Sequence, residues 1–250
     1  MAVGVINVSV CSPVHNEREN ISSLVERVHR TITPLFGRDW EQILVDDGSS
    51  DGSAEIISQL MIEFPTVVLI RHNKNQGERS AWSTAFNAAR GKVVVLLAAD
   101  LQSHPEDIPH LLDVVSHGYD VGTGERRSRK DGRYYWLATR ILTLYTSIVF
   151  HVNVRDVSSS FFAVKAEFLK ALPLVENDHR YILAILGRRG ARIGEIPVQH
   201  TARVAGASHY TRSKVLWAIP EVIRFTFRYL TKFYDMKSMS IERGPRWSSD

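Results

Sequence analysis

Val93-Val94-Val95-Leu96-Leu97-Ala98-Ala99-Asp100-Leu101-Gln102 is the stretch whose reading decides the fold. Consecutive valines and leucines without a polar break match a strand buried on both faces, as at the centre of a parallel sheet. The run then stops on a carboxylate. A lone Asp at the end of a buried strand carries a desolvation cost unless something pairs with it. The carboxyl ends of strands in open α/β sheets are also where ligands collect. The plainer alternative is that Asp100 caps the helix introduced by His104-Pro105-Glu106-Asp107.

Upstream of this strand, strand and helix signals alternate. Val5 to Cys11 reads as a strand ended by Ser12-Pro13, with Asn16 or Asn20 capping a helix to about Thr33. Ile21, Leu24, Val25, Val28 and Ile32 fall on one face of that helix. Trp40 to Val45 is a second strand, followed by Asp46-Asp47-Gly48-Ser49-Ser50-Asp51-Gly52. Ser49, Ser50 or Asp51 can cap the next helix, which carries Ile56, Ile57 and Leu60. Val67 to Arg71 is a third strand, Asn73 to Gly77 a loop, and Ala81 to Ala89 a helix ended by Gly91. The β-α-β-α-β-α-β order predicts an α/β fold, a mostly parallel sheet with helices on both faces.

Hydrophobic content of 44% and charged content of 23% suit a globular domain with a sizeable core. The single cysteine, Cys11, excludes an intramolecular disulfide and suits a reducing compartment. With no basic region leading into an apolar core at the N-terminus, a cytoplasmic location is expected. The formal charge is +4, unevenly spread. Arg126, Arg127, Arg129, Lys130, Arg133 and Arg140 crowd one stretch, and Arg203 to Arg246 hold a second excess. Such patches favour a phosphate-bearing ligand, an anionic membrane surface or nucleic acid, though solvated loops account equally well for either patch alone.

No G-x-G-x-x-G follows the first strand; Pro13-Val14-His15-Asn16-Glu17 stands there instead. The second strand ends on Asp46 and Asp47 and the fourth on Asp100, so three acidic loops are expected to face one crevice. Acids beside a phosphate binder suit hydrogen bonds to ribose and base, together with a divalent cation. Magnesium favours a few carboxylates completed by substrate phosphates and water.

Pro13-x-x-Asn16-Glu17, Val45-Asp46-Asp47-Gly48-Ser49-x-Asp51-Gly52, Asn75-x-Gly77 and Ala99-Asp100-Leu101-Gln102-x-x-Pro105-Glu106 together resemble family 2 glycosyltransferases of the GT-A fold. Ile193-x-Glu195-Ile196-Pro197-Val198 and Arg203-x-x-Gly206-x-Ser208-x-Tyr210 are similar to the dolichol-phosphate mannosyltransferase and polyprenyl-phosphate glycosyltransferase branch. The resemblance implies a UDP- or GDP-sugar donor, Mg2+ or Mn2+, and inverting transfer of one sugar by direct displacement. It implies that Pro13, His15 and Glu17 lie along the base and ribose, that Asp46 or Asp47 contacts them, and that Asn75, Gly77 and Ala99 complete the donor site. It further implies that Asp100 and Gln102 hold the metal. Arg126, Arg127 and Arg203 are the candidate phosphate contacts, since a guanidinium binds an oxyanion through two hydrogen bonds. Asp156 either orients the acceptor loop or acts as base, and His179 and Arg180 are acceptor-side candidates.

Three departures bear on the chemistry. The branch usually has Asp-x-Asp-x-Gln after the central strand, and here the first Asp is Ala98. On an extended backbone residues 98, 100 and 102 share a face, so Ala98 removes one oxygen ligand and metal binding should be weaker, lean on the diphosphate, or be lost. The family's basic residue after a Gly-Phe pair has no counterpart in Ser158-Ser159-Ser160-Phe161-Phe162-Ala163. The Ser-Lys-Tyr of many relatives is Ser208-His209-Tyr210, a titratable group for a permanent cation.

Residues 1–214 are expected to form one GT-A domain, with a donor half over 1–122 and an acceptor half over 123–214. An amphipathic helix over 215–240 and a disordered tail over 241–250 follow. Leu137 to Val154 has too short an apolar run to span a membrane, and Val215 to Leu230 is interrupted by Pro220, Glu221, Arg224 and Arg228. That helix either lies in a membrane interface, on the inner face, or packs on the domain or at a homodimer contact. No nucleic-acid partner is expected. Three functions stay open: transfer to a lipid phosphate, transfer to a soluble hydroxyl acceptor, or nucleotide-sugar binding without catalysis.

Overall fold

The computed structural model describes residues 6–126, 144–145, 147–150, 152, 154–157, 159–201, 214–231 and 233–234, with the backbone alone over 214–219. The first half runs β1 (Val8–Val14), α1 (Arg18–Phe36), β2 (Trp40–Asp46), α2 (Ser53–Glu63), β3 (Val67–Arg71), α3 (Glu78–Ala88) and β4 (Val93–Leu96). Then follow α4 (Ile108–Ser116), β5 (Val121–Arg126), β6 (Phe162–Lys165), α5 (Ile182–Arg188), β7 (Ile193–Val198) and α6 (Lys214–Leu230). The strands form one sheet in the order β3-β2-β1-β4-β6-β5-β7. Every pairing is parallel except those made by β6, which runs antiparallel to both β4 and β5.

The expected central strand is central. Val94 and Leu96 pack on one face with Cys11, Ile43 and Trp82, while Val95 and Leu97 pack on the other with Leu24, Val28 and Leu44. Alternate side chains entering different cores explain why a continuous apolar run was needed there. The apolar stripe of α1 (Ile21, Leu24, Val25, Val28, Ile32) is fully buried against that second face.

Several boundaries differ from the sequence expectation. β1 continues through Ser12-Pro13 to Val14. The Cys11 carbonyl accepts the Leu97 N–H at 3.0 Å, so the main chain of Pro13 faces the same side beyond the end of the β4 ladder. Its missing N–H costs no ladder bond there. Neither Asn16 nor Asn20 caps α1, which extends to Phe36. Its first N–H groups are satisfied from the β2–α2 loop and the start of α2: Glu17 N–H donates to Ser53 Oγ at 3.1 Å and Arg18 N–H to Asp51 Oδ2 at 3.0 Å. Asp51 also accepts the Ser53 N–H at 3.0 Å, but the N-cap of α2 is Gly52 rather than Ser49, Ser50 or Asp51. α3 starts earlier than expected, at Glu78. Gly91 does not end it: a Cβ there would stand 2.5 Å from Ser9 N, so this glycine permits a close chain crossing.

α6 packs on the domain. Phe225 and Tyr229 are buried beside Phe150, and the Tyr229 hydroxyl donates to the Phe150 carbonyl at 2.7 Å. Among the described residues no helix is long and apolar enough to cross a membrane. The expected tail over 241–250 lies outside the described residues.

Candidate functional site

The carboxyl ends of β1, β2, β3 and β4 share one edge, and Asp47 knits the first three together. Its N–H donates to the Val14 carbonyl at 2.8 Å. Oδ1 accepts the Gln76 N–H at 2.8 Å and His72 Nδ1–H at 2.7 Å; Oδ2 accepts the Gly77 N–H at 2.8 Å. Its carbonyl accepts His15 Nδ1–H at 3.0 Å, and His15 Nε2 in turn lies 3.1 Å from Asn75 Nδ2. A neutral His15 carrying its proton on Nδ1 satisfies both contacts. Gly48, at φ 67°, lets this loop lie against the next; a Cβ there would stand 2.5 Å from Asn75 N. His15, Asp47, Asn75 and Gly77, singled out separately in the sequence, are thus one assembly. Pro13 and Glu17 flank it, with Glu17 Oε2 accepting Asn20 Nδ2–H at 2.6 Å.

The two acids at the end of β2 play different parts. Asp47 has both oxygens committed to protein donors. Asp46 is sealed from solvent, and its Oδ1 accepts the Ser49 N–H at 3.3 Å. Its Oδ2 has no hydrogen-bond donor, although Arg71 Nε stands 3.6 Å away within ion-pair range. At 3.6 Å the contact is electrostatic rather than a hydrogen bond.

After β4 the chain turns sharply. Asp100 is nearly buried and its Oδ1 accepts the Gln102 N–H at 3.2 Å, while Leu101 sits at φ 56°. The stretch past Ala98 is therefore not extended, so residues 98, 100 and 102 do not share one face as expected: the turn breaks the alternation. Ala99 is buried beneath it. Asp100 does not cap α4, whose N-cap is Asp107. The segment after β7 clamps this turn: Thr201 N–H donates to the Gln102 carbonyl at 3.0 Å, and Ser103 bridges His200. Among the described residues four non-glycine residues have positive φ, and two of them, Asn16 and Leu101, lie at these strand ends. Such conformations cost energy and persist where the surroundings impose them, often at functional sites.

On the other side of β4, Arg126 at the end of β5 meets Asp156 as fork to fork, Nε to Oδ2 at 2.5 Å and Nη2 to Oδ1 at 2.8 Å. Glu195 on β7 accepts the Asp156 N–H at 3.1 Å and the Arg155 N–H at 2.9 Å. Burial pushes the Glu195 carboxyl above the usual range, and nearby Glu125 and Asp156 add to this against the two N–H donors. Asp156 thus faces a guanidinium with both oxygens, the arrangement of a positioning partner for Arg126. Arg127, Arg203 and the Ser208-His209-Tyr210 stretch lie outside the described residues.

His179 Nε2 stands 3.3 Å from Glu78 Oε2 at the start of α3, and Arg180 Nη1 lies 3.3 Å from Glu221 Oε2 on α6. Burial raises the Glu78 carboxyl, but the hydrogen bonds from His179 and Trp82 and the nearby Arg180 guanidinium together outweigh it and hold the group below the usual range. Sequence reasoning missed His72, Glu78 and the role of Glu195. His72 directly follows β3, so the strand-end rule that selected Asp47 and Asp100 reaches it too.

As a metal site the described residues are sparse: among them no group of three or more His, Cys, Asp or Glu is arranged to hold an ion. Asp100 and Gln102 remain, with Ala98 supplying no oxygen. That set fits a magnesium- or manganese-like cation only where substrate phosphates complete the coordination.

The sequence matches the profile described as glycosyl transferase family 2 over residues 9–172. It is 33% identical over 211 residues to the undecaprenyl-phosphate 4-deoxy-4-formamido-L-arabinose transferase of Pectobacterium carotovorum, and 34% identical over 210 residues to that of Proteus mirabilis. Each alignment covers 84% of this chain but only 64% of the relative's length. In fold it is similar to glucosyl-3-phosphoglycerate synthase from Mycobacterium tuberculosis, solved with Mn2+, UDP and glucosyl-3-phosphoglycerate, at TM-score 0.65 and 20% identity over 89% of this chain and 78% of that one. A mannosyltransferase from Pyrobaculum calidifontis, solved with GDP-Man and Mn2+, aligns at TM-score 0.63 and 18% identity over 95% of this chain and 67% of that one. The sheet is thus that of the GT-A fold, and the profile spans both the Asp47 assembly and the Asp100 turn. This chain belongs to glycosyl transferase family 2.

Proposed function

We propose that this chain transfers a sugar from a nucleoside-diphospho-sugar to a polyprenyl-phosphate acceptor. The observation that carries the donor half is the Asp47 assembly, which fixes three strand-end loops beside the Asp100 turn. The acceptor class follows the names of the relatives, undecaprenyl-phosphate transferases of about one-third identity.

In this reading Pro13, His15, Glu17, Asn75 and Gly77 line the nucleoside. Asp47 holds the loop that faces the nucleoside, and Asp46, sealed from solvent, lies beneath it as a buried anchor of the same turn. Asp100 and Gln102 hold the divalent cation together with the diphosphate, and Ala99 lets the diphosphate approach the main chain. When bound, the cation neutralises charge developing on the leaving diphosphate. Arg126, oriented by Asp156, offers its guanidinium to phosphate, with Arg127 and Arg203 as further phosphate contacts. A phosphate oxygen of the acceptor attacks the anomeric carbon as the bond to the diphosphate breaks, inverting the centre. Such a nucleophile is already anionic and needs little help from a base. The commitment of Asp156 to Arg126 is consistent with that, whereas a hydroxyl acceptor would call for a carboxylate free to take a proton. A lipid acceptor brings the enzyme to a membrane surface, on the cytoplasmic side.

The test is a transfer assay with labelled UDP- and GDP-sugars, manganese and polyprenyl phosphate. Label should move into a butanol-extractable, mild-acid-labile product. Label passing only to hydroxyl acceptors would overturn the acceptor class; donor binding without turnover on any acceptor would overturn catalysis.

A further inference from the structure

The two acids that end β2 are met in order by two basic residues that end β3. Arg71 stands opposite Asp46 in the sheet register and holds its Nε 3.6 Å from Asp46 Oδ2. His72 follows: its main-chain N–H donates to the Asp46 carbonyl at 2.9 Å, and its Nδ1 lies 2.7 Å from Asp47 Oδ1. Among the described residues no other basic side chain comes within ion-pair range of Asp47, and the side chains of this pair are nearly sealed from solvent. A carboxylate only accepts hydrogen bonds, so His72 Nδ1 carries a proton whatever the charge of the ring.

The other ring nitrogen is held as well. His72 Nε2 lies 2.9 Å from Thr84 Oγ1 on α3, and a hydroxyl can donate or accept there. α3 is itself anchored through Ala81, Trp82 and Ala85, which are buried in the core. The imidazole is therefore gripped at both nitrogens between a fixed helix and the Asp47 carboxylate. That carboxylate closes the β3–α3 loop from both ends: His72 enters from its start, and the Gln76 and Gly77 N–H groups donate from its far end at 2.8 Å. Oδ1 is shared between His72 and Gln76, so a carboxylate released by His72 is free to turn away from Gln76 too. An unpaired buried carboxylate is also costly, which favours such a shift once the imidazole is gone.

We infer that His72, held by Thr84, is a positioning residue for nucleotide binding: its Nδ1–H fixes the Asp47 carboxylate that shapes the Gln76–Gly77 end of the donor loop. The inference rests on the proposed donor site. Its test uses two amides, each of which copies one ring nitrogen. Asn carries an N–H close to where Nδ1–H stands, whereas the longer Gln reaches toward Nε2. UDP and GDP, each with manganese, are titrated calorimetrically into the wild type, His72→Asn and His72→Gln, and all three are melted. His72→Gln should bind the nucleotide that the wild type takes about tenfold more weakly, and His72→Asn should recover most of that loss, while the two variants melt alike. A side chain that only fills space would leave the two amides equal in affinity. Equal affinity of the two variants, beside a wild type that binds, overturns the role of His72 and leaves the donor site standing; a wild type that binds neither nucleotide overturns both. Should neither His72 variant fold, Thr84→Val decides, since it keeps the side-chain shape and removes the hydroxyl: affinity about threefold lower supports the relay, and wild-type affinity overturns it.

Discussion

The edge of the sheet at β1–β3 and the surface around α6 meet near the same turn, Asp178–Tyr181, yet each uses a buried carboxylate differently. At the edge, Asp47 collects mainly backbone N–H groups of a loop. Near α6, Asp178 collects mainly side chains, Arg228 Nη2–H at 2.6 Å and the Tyr234 hydroxyl at 2.6 Å, beside one backbone N–H, that of Val175 at 2.9 Å. Burial raises the Tyr234 phenol, and the Asp178 hydrogen bond adds to it, so Tyr234 stays protonated as donor. The first arrangement fixes main chain, which is what a ligand read by backbone and loop atoms requires. The second pins one side of a helix on the domain and leaves Ile223, Phe227 and Leu230 of that helix exposed.

The largest effect that would break this division is at Asp100. Asp100→Asn keeps an acceptor for the Gln102 N–H but loses the charge, so transfer should fall by about a thousandfold with melting unchanged, a loss typical of removing one key electrostatic group. Turnover near the wild-type rate would remove Asp100 from the chemistry. Next come the two hubs. Asp47→Ala strands two backbone N–H groups and His72, and should cost about 3 kcal/mol or more in urea unfolding together with nucleotide affinity. Asp178→Ala should cost about 2–3 kcal/mol while leaving nucleotide affinity intact. Equal loss of affinity in both would erase the distinction between the regions.

A smaller effect lies at the link between them. The Glu78 carboxyl is held low when folded, so its contribution to stability is present above the ordinary Glu range, about pH 4.3, and is lost as pH falls through the folded value. Melting curves across pH should therefore show Glu78→Gln less stable than wild type near neutrality and equal to it in acid. The smallest effect is chemical: burial pushes the Cys11 thiol far up, with Glu41 adding, so a thiol reagent should label it only after unfolding.

What the sequence disclosed tracks how local each feature is. The buried run at β4 and the stripe of α1 are written in side-chain spacing, and the acids at strand ends follow from them. The reversed strand β6 was not legible, because Phe162–Lys165 enters between β4 and β5 only through pairings with residues far away in the chain. The continuation of β1 through Pro13 depended on where β4 stops, and the caps of α1 come from the β2–α2 loop and the start of α2. The candidate donor-site residues were legible by type, but not which of them are tied to protein donors. Asp46 and Asp47 are neighbours of one chemistry, and only their surroundings separate them. The same holds for Asp156, whose role rests on Arg126 across thirty positions of sequence.

The most direct measurement is calorimetric titration of UDP and of GDP, each with manganese, into the wild type and Asp100→Asn. One of the two nucleotides should bind the wild type only when manganese is present, and should bind Asp100→Asn about tenfold or more weakly. Equal affinity in both proteins, or no binding of either nucleotide to the wild type, would contradict a donor site built on the Asp47 assembly and the Asp100 turn.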